Sequence, residues 1–117
     1  MSSSSTRRSV EFRAYKLRPG SGASFHDLIA NQAVALMRDW GMDVVAFGQS
    51  IADPDSYLLV RAYDSVEHLH QSQEAFYATE TWRQGPRESI LALIEHSVNT
   101  VVGLSPETVD GLRKAIP

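Results

Sequence analysis

The stretch from Val10 to Leu17 constrains the fold more than any other part of the sequence. Its alternation predicts a β-strand with apolar residues on both faces. One face carries Val10, Phe12 and Ala14, and the other carries Tyr15 and Leu17. Helices of the same chain can cover one face, but 117 residues are too few to supply two comfortable helix layers. We therefore expect a second copy of the protein to cover the other face.

The composition predicts one globular domain and excludes several kinds of site. The formal charge of −3, with no Lys/Arg stripe, argues against nucleic-acid binding. The absence of cysteine excludes disulfides, thiol nucleophiles and thiolate metal sites. No segment approaches the roughly 20 apolar residues of a membrane-spanning helix. We expect a cytoplasmic protein whose Ser-rich residues 1–9 form a disordered tail and not a signal peptide.

The first helix follows a turn at residues 19–22. Ser24 and Asp27 have the spacing of a capping box, and Gly41 is a natural C-terminal stop. On a helical wheel, Gln32 falls near the middle of the buried face. The apolar stripe of this helix comprises Phe25, Leu28, Ile29, Ala33, Leu36, Met37 and Trp40.

A hairpin comes next, with strands at residues 44–52 and 57–63 joined by the turn sequence Asp53-Pro54-Asp55-Ser56. The second of these strands again has two different faces. One face is simply apolar, and the other is aromatic, aliphatic and arginine-bearing, which indicates a buried functional or interfacial surface. The apolar face carries Leu58, Val60 and Ala62, and the mixed face carries Tyr57, Leu59, Arg61 and Tyr63.

The rest of the chain predicts a second helix, a short helix, a strand and a last helix. Asp64 or Ser65 caps the second helix, and Gln73 lies inside its apolar arc. The short helix runs from Pro86 to about Ile94, and His96 closes it. The fourth strand is expected at residues 98–104. A C-terminal helix follows within residues 105–117, with Val109, Leu112 and Ile116 on one side.

The order of elements is β-α-β-β-α-β, which predicts an α+β, ferredoxin-like fold: a four-stranded antiparallel sheet with helices on one face. The domain is expected at residues 10–104. Because the strands also carry apolar residues on the open face, we expect two sheets to pair face to face in a homodimer.

The chain resembles the NIPSNAP family in several places. The first is the strand from Val10 to Tyr15, together with Leu17, Pro19 and Gly20. The second is Trp40-Gly41 before a strand, and the third is Tyr63-Asp64-Ser65 at the start of a helix. The fourth is Trp82 followed by Gly85-Pro86-Arg87-Glu88. The resemblance covers about residues 10–102. It implies a dimeric α/β barrel made of two ferredoxin-like sheets.

Two features limit what the resemblance implies about function. Many members carry two tandem domains, whereas this chain holds one, so a barrel requires two chains. The family has no agreed catalytic residues to carry over. Related barrels include cofactor-independent monooxygenases, small isomerases and dehydratases, and haem-handling enzymes, so the fold leaves the chemistry open.

The first candidate site combines Arg13, Tyr15, Arg61 and Tyr63, on corresponding faces of neighbouring strands. A guanidinium beside phenols can hold a carboxylate, phenolate or enolate and stabilise negative charge on oxygen. The alternative is structural: Glu11 and the arginines form ion pairs across the dimer interface, and the tyrosines fill the barrel.

Other candidates lie on the helices and in the loop before the short helix. Gln32 and Gln73 can orient a ligand if both helices face one pocket, or each can satisfy its amide by bonding the backbone or a neighbouring residue. Trp82 lies where a loop can close over a pocket or simply pack on the sheet. His26 can act as a general base at a pocket rim or be an ordinary boundary histidine. No metal site is expected, since His68 and His70 point in different directions. No cofactor is expected either, and the sequence has no Gly-rich phosphate loop.

Three functions remain open from the sequence. The first is a homodimer that binds a small apolar or aromatic molecule between sheet and helices. The second is a cofactor-independent monooxygenase or isomerase of the dimeric-barrel type, for which His26, Tyr63 and Arg13 are the weak catalytic candidates. The third is a structural or adaptor dimer with a filled core.

Overall fold

The computed structural model of the chain describes residues 6–115. The elements follow in the order β1 (Arg8–Leu17), α1 (Gly22–Leu28), a π-helical segment (Ile29–Ala33), α2 (Val34–Trp40), β2 (Asp43–Gln49), β3 (Ser56–Tyr63), α3 (Val66–Tyr77), α4 (Glu80–Gln84), α5 (Arg87–Leu93), β4 (Ile94–Leu104) and α6 (Pro106–Ala115).

Within the described residues, one antiparallel sheet has the strand order β2-β3-β1-β4. The central strands β1 and β3 are neighbours although α1, α2 and β2 lie between them in sequence. Their register places Glu11 opposite Arg61 and Phe12 opposite Val60. This order is that of a ferredoxin-like α+β fold, so the predicted fold class is confirmed.

The main hydrophobic core lies between the sheet and the helices that precede β4. The sheet face in this core is the mixed one, which also carries Arg61. The helices of the same chain therefore cover β1 and β3 on that face, whereas Val101 of β4, which pairs with Glu11, is 38% exposed. The sheet contributes Leu17, Val44, Tyr57, Leu59 and Tyr63 to this core, and the helices contribute Phe25, Ile29, Met37, Leu69, Phe76 and Ile90.

A second, smaller core lies on the opposite face, which we expected to be open in a single chain. Helix α6 covers part of this face, where Val109 is fully buried. Arg113 of α6 also pairs with Asp43 of β2, with Nη2 2.6 Å from Oδ2. The uncovered part includes Val98 and Val102, which are 66% and 37% exposed. The strand residues under α6 are Val10, Val45, Ala46, Val60 and Ala62.

Strand β1 begins at Arg8, two residues before its predicted start at Val10. Ser9 pairs with Tyr63, and Arg8 donates a hydrogen bond from Nε to the carbonyl oxygen of Tyr63. Arg8 and Ser9 therefore belong to the sheet and not to a disordered tail. The rest of that predicted tail includes residues 1–5, which lie outside the described part of the chain.

Strand β4 begins at Ile94 and not at the predicted residue Val98. The long strand β1 provides partners for these extra residues, since Leu17 pairs with Ile94 and Lys16 with His96. His96 consequently lies inside a strand, and its predicted place at a helix end is wrong.

The hairpin is present, with a strand boundary that differs from the prediction. Strand β2 ends at Gln49, so residues 50–52 belong to the turn. The Ser50 hydroxyl accepts hydrogen bonds from the backbone of Ala52 and Asp53, which fixes these residues in a turn and not in an extended strand.

The first helix differs from an ideal α-helix in its middle. Its buried residues are Phe25, Ile29, Ala33, Val34 and Met37, whereas Gln32, which we expected in the buried face, is exposed. One turn of a π-helix contains more residues than one turn of an α-helix. Apolar residues spaced four apart, such as Ile29 and Ala33, therefore stay on the same side of the helix. The π-helical segment therefore directs residue 33, and not residue 32, toward the sheet.

Two predicted helix caps have different outcomes. Ser65 caps α3 by accepting a hydrogen bond from the His68 backbone N–H at 2.9 Å, which decides between Asp64 and Ser65. Ser24, the predicted cap of the first helix, lies inside it, because the helix begins just after Ser21. Ile116 of the last helix lies outside the described residues.

Among residues 6–115, no helix has the length and apolar character needed to cross a membrane.

Two glycines allow a direct test of the helix ends. Gly41 ends α2 with φ of 106°, whereas Gly111 lies inside α6, and an added Cβ would meet no atom within 4 Å at either position. We expect Gly41→Ala to lower the free energy of unfolding by about 1 kcal/mol, because alanine is strained at positive φ. Gly111→Ala is expected to raise it by up to about 1 kcal/mol, because alanine favours helix. Urea unfolding measures both, and shifts of the same sign would contradict the assignment.

Candidate functional site

A fully buried ion pair joins the two central strands below the helices. Glu11 of β1 and Arg61 of β3 are directly opposite in the sheet register. Arg61 Nε lies 2.8 Å from Glu11 Oε1, and Nη2 lies 2.7 Å from the same oxygen. Both side chains have no exposed surface. The ion pair thus lies within one chain, and the predicted pairing of Glu11 across a dimer interface is wrong.

Helix α3 completes the surroundings of this ion pair. Gln73 donates from Nε2 to both Glu11 carboxylate oxygens at 3.0 Å and lies 3.1 Å from the Tyr63 hydroxyl. Arg61 Nη1 donates to the Tyr77 hydroxyl at 2.9 Å. Gln73 is buried, as its position in the helix predicted, and its amide is used to bind the carboxylate.

Arg13 is a second guanidinium on the same carboxylate. Its Nη2 lies 3.2 Å from Glu11 Oε2, and its side chain is 24% exposed. Burial alone would raise the pKa of Glu11, but Arg61, Gln73 and Arg13 together hold it below its ordinary value of 4.5. Glu11 is therefore ionised at neutral pH, and one carboxylate serves two arginines.

A cavity of about 260 Å³ lies next to Arg13, between the sheet and the helices. This volume is slightly below the range of roughly 300–1,000 Å³ of ordinary ligand pockets. Most of the wall is apolar or aromatic, with polar groups on the sheet side and at Arg87. The lining residues are Arg13, Tyr15, Ile29, Met37, Tyr77, Trp82, Arg87, Ile90, Leu91, Ile94 and Ser97.

Tyr15 places a phenol in the wall beside Arg13. Burial raises the pKa of Tyr15 to about 12. The hydroxyl is therefore protonated at neutral pH and can donate a hydrogen bond to a bound molecule. The phenolate form, which could act as a base, is scarcely populated at neutral pH.

An aromatic cluster covers the helical side of the cavity. Trp82 of α4 packs against Phe76 and Tyr77 of α3, with ring centroids 5.3 and 5.4 Å apart. Trp82 belongs to the core and also lines the cavity. The two interpretations of this residue, core packing and pocket wall, are therefore compatible.

The structure separates the predicted site residues into three groups. Arg13, Tyr15 and Trp82 line the cavity. Arg61, Tyr63 and Gln73 belong to the buried hydrogen-bond network around Glu11 and do not line it. Gln32 and His26 lie elsewhere.

Gln32 and His26 have surroundings of their own. Gln32 is exposed beside a shallow groove with Ser89 and Leu93 of α5, so it does not share a pocket with Gln73. His26 Nδ1 lies 2.7 Å from the Tyr57 hydroxyl, on a helix position away from the cavity lining. The idea that two glutamines meet in one polar spot is wrong.

Three polar residues of the cavity, Tyr77, Arg87 and Ser97, were not among the predicted site residues. In the sequence Tyr77 belongs to an aromatic patch with Phe76 and Trp82, which fits either a ligand or core packing, and Arg87 belongs only to a family motif. Tyr77 comes at the last position of α3, and Arg87 at the first position of α5. Residues at element ends carry no periodic signal, so only the packing of these helices shows that both reach the cavity.

The sequence matches the NIPSNAP family model over residues 10–106. The chain belongs to the NIPSNAP family. This confirms the family that the sequence resembles. No curated protein matches the chain.

Solved structures of NIPSNAP proteins have the same fold as this chain. A NIPSNAP-like domain protein from Burkholderia xenovorans has a TM-score of 0.75 at 19% identity, with 83% of this chain and 84% of that chain covered. A NIPSNAP family protein of unknown function from Agrobacterium tumefaciens has a TM-score of 0.77 at 17% identity, with 86% and 91% covered. A putative antibiotic biosynthesis monooxygenase from Nitrosomonas europaea has a TM-score of 0.60 at 15% identity, with 84% and 88% covered.

The buried carboxylate makes a specific prediction about stability. In Glu11→Gln, two arginines lose their shared counter-charge, so we expect a loss of about 3–5 kcal/mol in the free energy of unfolding. Urea unfolding at pH 7 measures this loss. Glu95→Gln, on the exposed part of β4, is the control and should change little.

The same variant also changes the pH dependence. The pKa of Glu11 is lower in the folded state than its ordinary value of 4.5, so its contribution to stability is complete above that value. The contribution is lost as the pH falls through the folded-state pKa. The difference in stability between the unmodified NIPSNAP chain and Glu11→Gln should therefore shrink on acidification. A difference independent of pH would contradict a charged Glu11.

Proposed function

We propose that this NIPSNAP domain binds a small, largely apolar or aromatic molecule in the cavity between the sheet and the helices. The observation that carries the proposal is the cavity itself: about 260 Å³, walled by Ile29, Met37, Ile90 and other apolar residues, with Arg13 and Tyr15 on the sheet side. An apolar space with a few fixed polar groups is the usual composition of a small-molecule site.

The structural alternative, a dimer with a filled core, is less well supported by this geometry. A purely structural interior places apolar groups where the helices meet the sheet. Here Arg13 and Tyr15 face open volume, and the Arg13 side chain is fixed by its ion pair with Glu11. A fixed polar group in an apolar wall is suited to orienting a ligand.

We also propose that two copies pair through the uncovered part of the sheet. Val98 and Val102 on β4 share this face with Ala14 of β1, and residues 95–103 of β4 are all exposed. Exposed apolar residues on a long edge strand favour pairing with another chain. Helix α6 covers the other part of the face, so the pairing surface is the half toward Val98.

Catalysis in the same cavity is the second candidate function, and it includes monooxygenase and isomerase chemistry. The observation that favours it is the protonated Tyr15 phenol beside the Arg13 guanidinium, since both can stabilise negative charge that develops on a substrate oxygen. The similarity to the Nitrosomonas protein supports the shared fold and not the reaction. An enzyme would convert the bound molecule into a product, whereas a binding protein would retain it unchanged.

The binding proposal predicts the effect of filling the cavity. Leu91 of α5 lines the cavity and is 48% exposed, so a larger side chain there can fill the space without disrupting the core. We expect the purified protein to retain a small molecule in native mass spectrometry and Leu91→Trp to lose it. Ile51→Trp, at a fully exposed position outside this cavity, is the control. No retained molecule in the unmodified protein, before or after incubation with aromatic and aliphatic compounds, would contradict the proposal.

The pairing proposal is tested by two valines. Light scattering at micromolar concentration should give twice the 13.0 kDa mass of one chain. Val98→Glu puts a charge on the proposed interface and should yield mainly monomer. Val66→Glu is the matched control, because Val66 is 50% exposed on α3 and faces away from the sheet surface in question. A monomeric unmodified protein, or a dimer that tolerates Val98→Glu, would show that the surface is assigned wrongly.

A further inference from the structure

The charges around the cavity do not balance. Glu11 is the buried carboxylate, and it pairs with both Arg61 and Arg13. One positive charge is therefore in excess in the interior next to the cavity. Arg13 carries this excess, and because its side chain is only 24% exposed, its charge is less well solvated than on the surface and favours the approach of an opposite charge.

Arg13 is where this excess meets the cavity. Its Nη2 contacts Glu11 Oε2, but its Nε is buried and has no hydrogen-bond partner within the described chain. A guanidinium has more N–H donors than one carboxylate oxygen engages, so the part of Arg13 that lines the cavity can donate to an acceptor on a bound molecule. Arg61 donates from Nε to Glu11 and from Nη1 to the Tyr77 hydroxyl, and its Nη2, 2.7 Å from Glu11 Oε1, likewise has no hydrogen-bond partner within the described chain. Arg61 differs from Arg13 in that it does not line the cavity.

The polar groups next to Arg13 are also suited to donate hydrogen bonds to a bound molecule. The Tyr77 oxygen accepts from Arg61 Nη1, which leaves its own hydrogen directed to a further acceptor. Tyr15 is a second hydroxyl donor in the same wall. Arg87 adds a second cation at the lining, and its partner Glu88 is exposed and does not line the cavity. No Asp or Glu side chain is among the lining residues of the described chain.

We infer that the molecule bound in this cavity is an organic anion. Its negatively charged oxygen, whether carboxylate, phenolate or enolate, would accept hydrogen bonds from Arg13, Tyr15 and Tyr77. Its apolar or aromatic body would lie against Ile29 and Ile90. This inference rests on the proposed function and adds the charge of the ligand.

The protonation of Tyr15 agrees with this arrangement. Burial raises the pKa of Tyr15 to about 12, so the phenol is neutral at pH 7 and donates its hydrogen. A phenolate at the same place would repel an anion. Hydrogen bonds from charged donors to an anionic oxygen are among the strongest that proteins make.

The test compares acids with their neutral amides of equal shape. The probes are 3-phenylpropionate with 3-phenylpropionamide, and octanoate with octanamide. Trp82 fluorescence reports binding in a Trp40→Phe background, since the sequence has two tryptophans and Trp40 lies outside the cavity lining. We expect at least one acid to bind about 10- to 100-fold more tightly than its amide.

The contribution of Arg13 is measured with a matched pair of variants. Arg13→Gln removes the excess charge but leaves Glu11 paired with Arg61 and Gln73, so the fold should survive. It should weaken acid binding by about 10-fold or more and amide binding much less, because a neutral carbonyl oxygen gains less from a guanidinium than an anionic oxygen does. Arg83→Gln, at an exposed position outside the cavity lining, should change neither. If Arg13→Gln does not fold, the ratio of acid to amide affinity in the unmodified protein decides the question.

The outcomes separate this inference from the function on which it rests. Amides that bind as tightly as acids, or an Arg13→Gln variant that behaves like Arg83→Gln, would overturn the anionic ligand and leave a neutral ligand in the same cavity. Failure of both acids and amides to bind, together with no retained molecule in the purified protein, would overturn the binding function itself.

Discussion

The ion pair between Glu11 and Arg61 is the interaction on which the rest of the interior depends. It joins the two central strands at a point where both side chains are fully buried. A buried carboxylate must be paired and hydrogen-bonded, and here Gln73 supplies the remaining bonds from α3. Sheet and helix are thus held at one polar centre, in a core that is otherwise apolar.

We expect this pair to contribute more to specificity than to net stability. Replacing a buried pair by apolar residues is often neutral, whereas removing one partner is costly. A slip of one residue between β1 and β3 would turn Glu11 to the opposite face and separate it from Arg61. The pair therefore fixes the register of the central strands, and through Glu11 it also fixes Arg13 at the edge of the cavity. The same carboxylate consequently connects folding with the proposed binding site.

The site could be predicted where it depends on strand alternation. Arg13 and Tyr15 share a face of β1, and the alternation that placed them there also placed them in the cavity wall. Helical positions were less predictable. Gln32 was assigned to the buried face on the basis of 3.6 residues per turn, but a π-helical segment changes that spacing. Tyr77 and Arg87 lie at helix ends, where no periodic pattern indicates the direction of a side chain.

The sequence by itself determined the order of the four strands and of the main helices, the two-faced character of the strands and the helix stop at Gly41, because each depends on contacts or torsion angles local in the chain. It did not show α4, which lies where a loop was expected. Only the tertiary structure decided which sheet face the helices cover, that Glu11 pairs within its own chain, and that α6 covers part of the second face. The local pattern of apolar residues predicts that a residue is buried, but it does not predict which other segment packs against that residue. That partner is set by contacts between segments distant in sequence, such as β1 with β3 and α3.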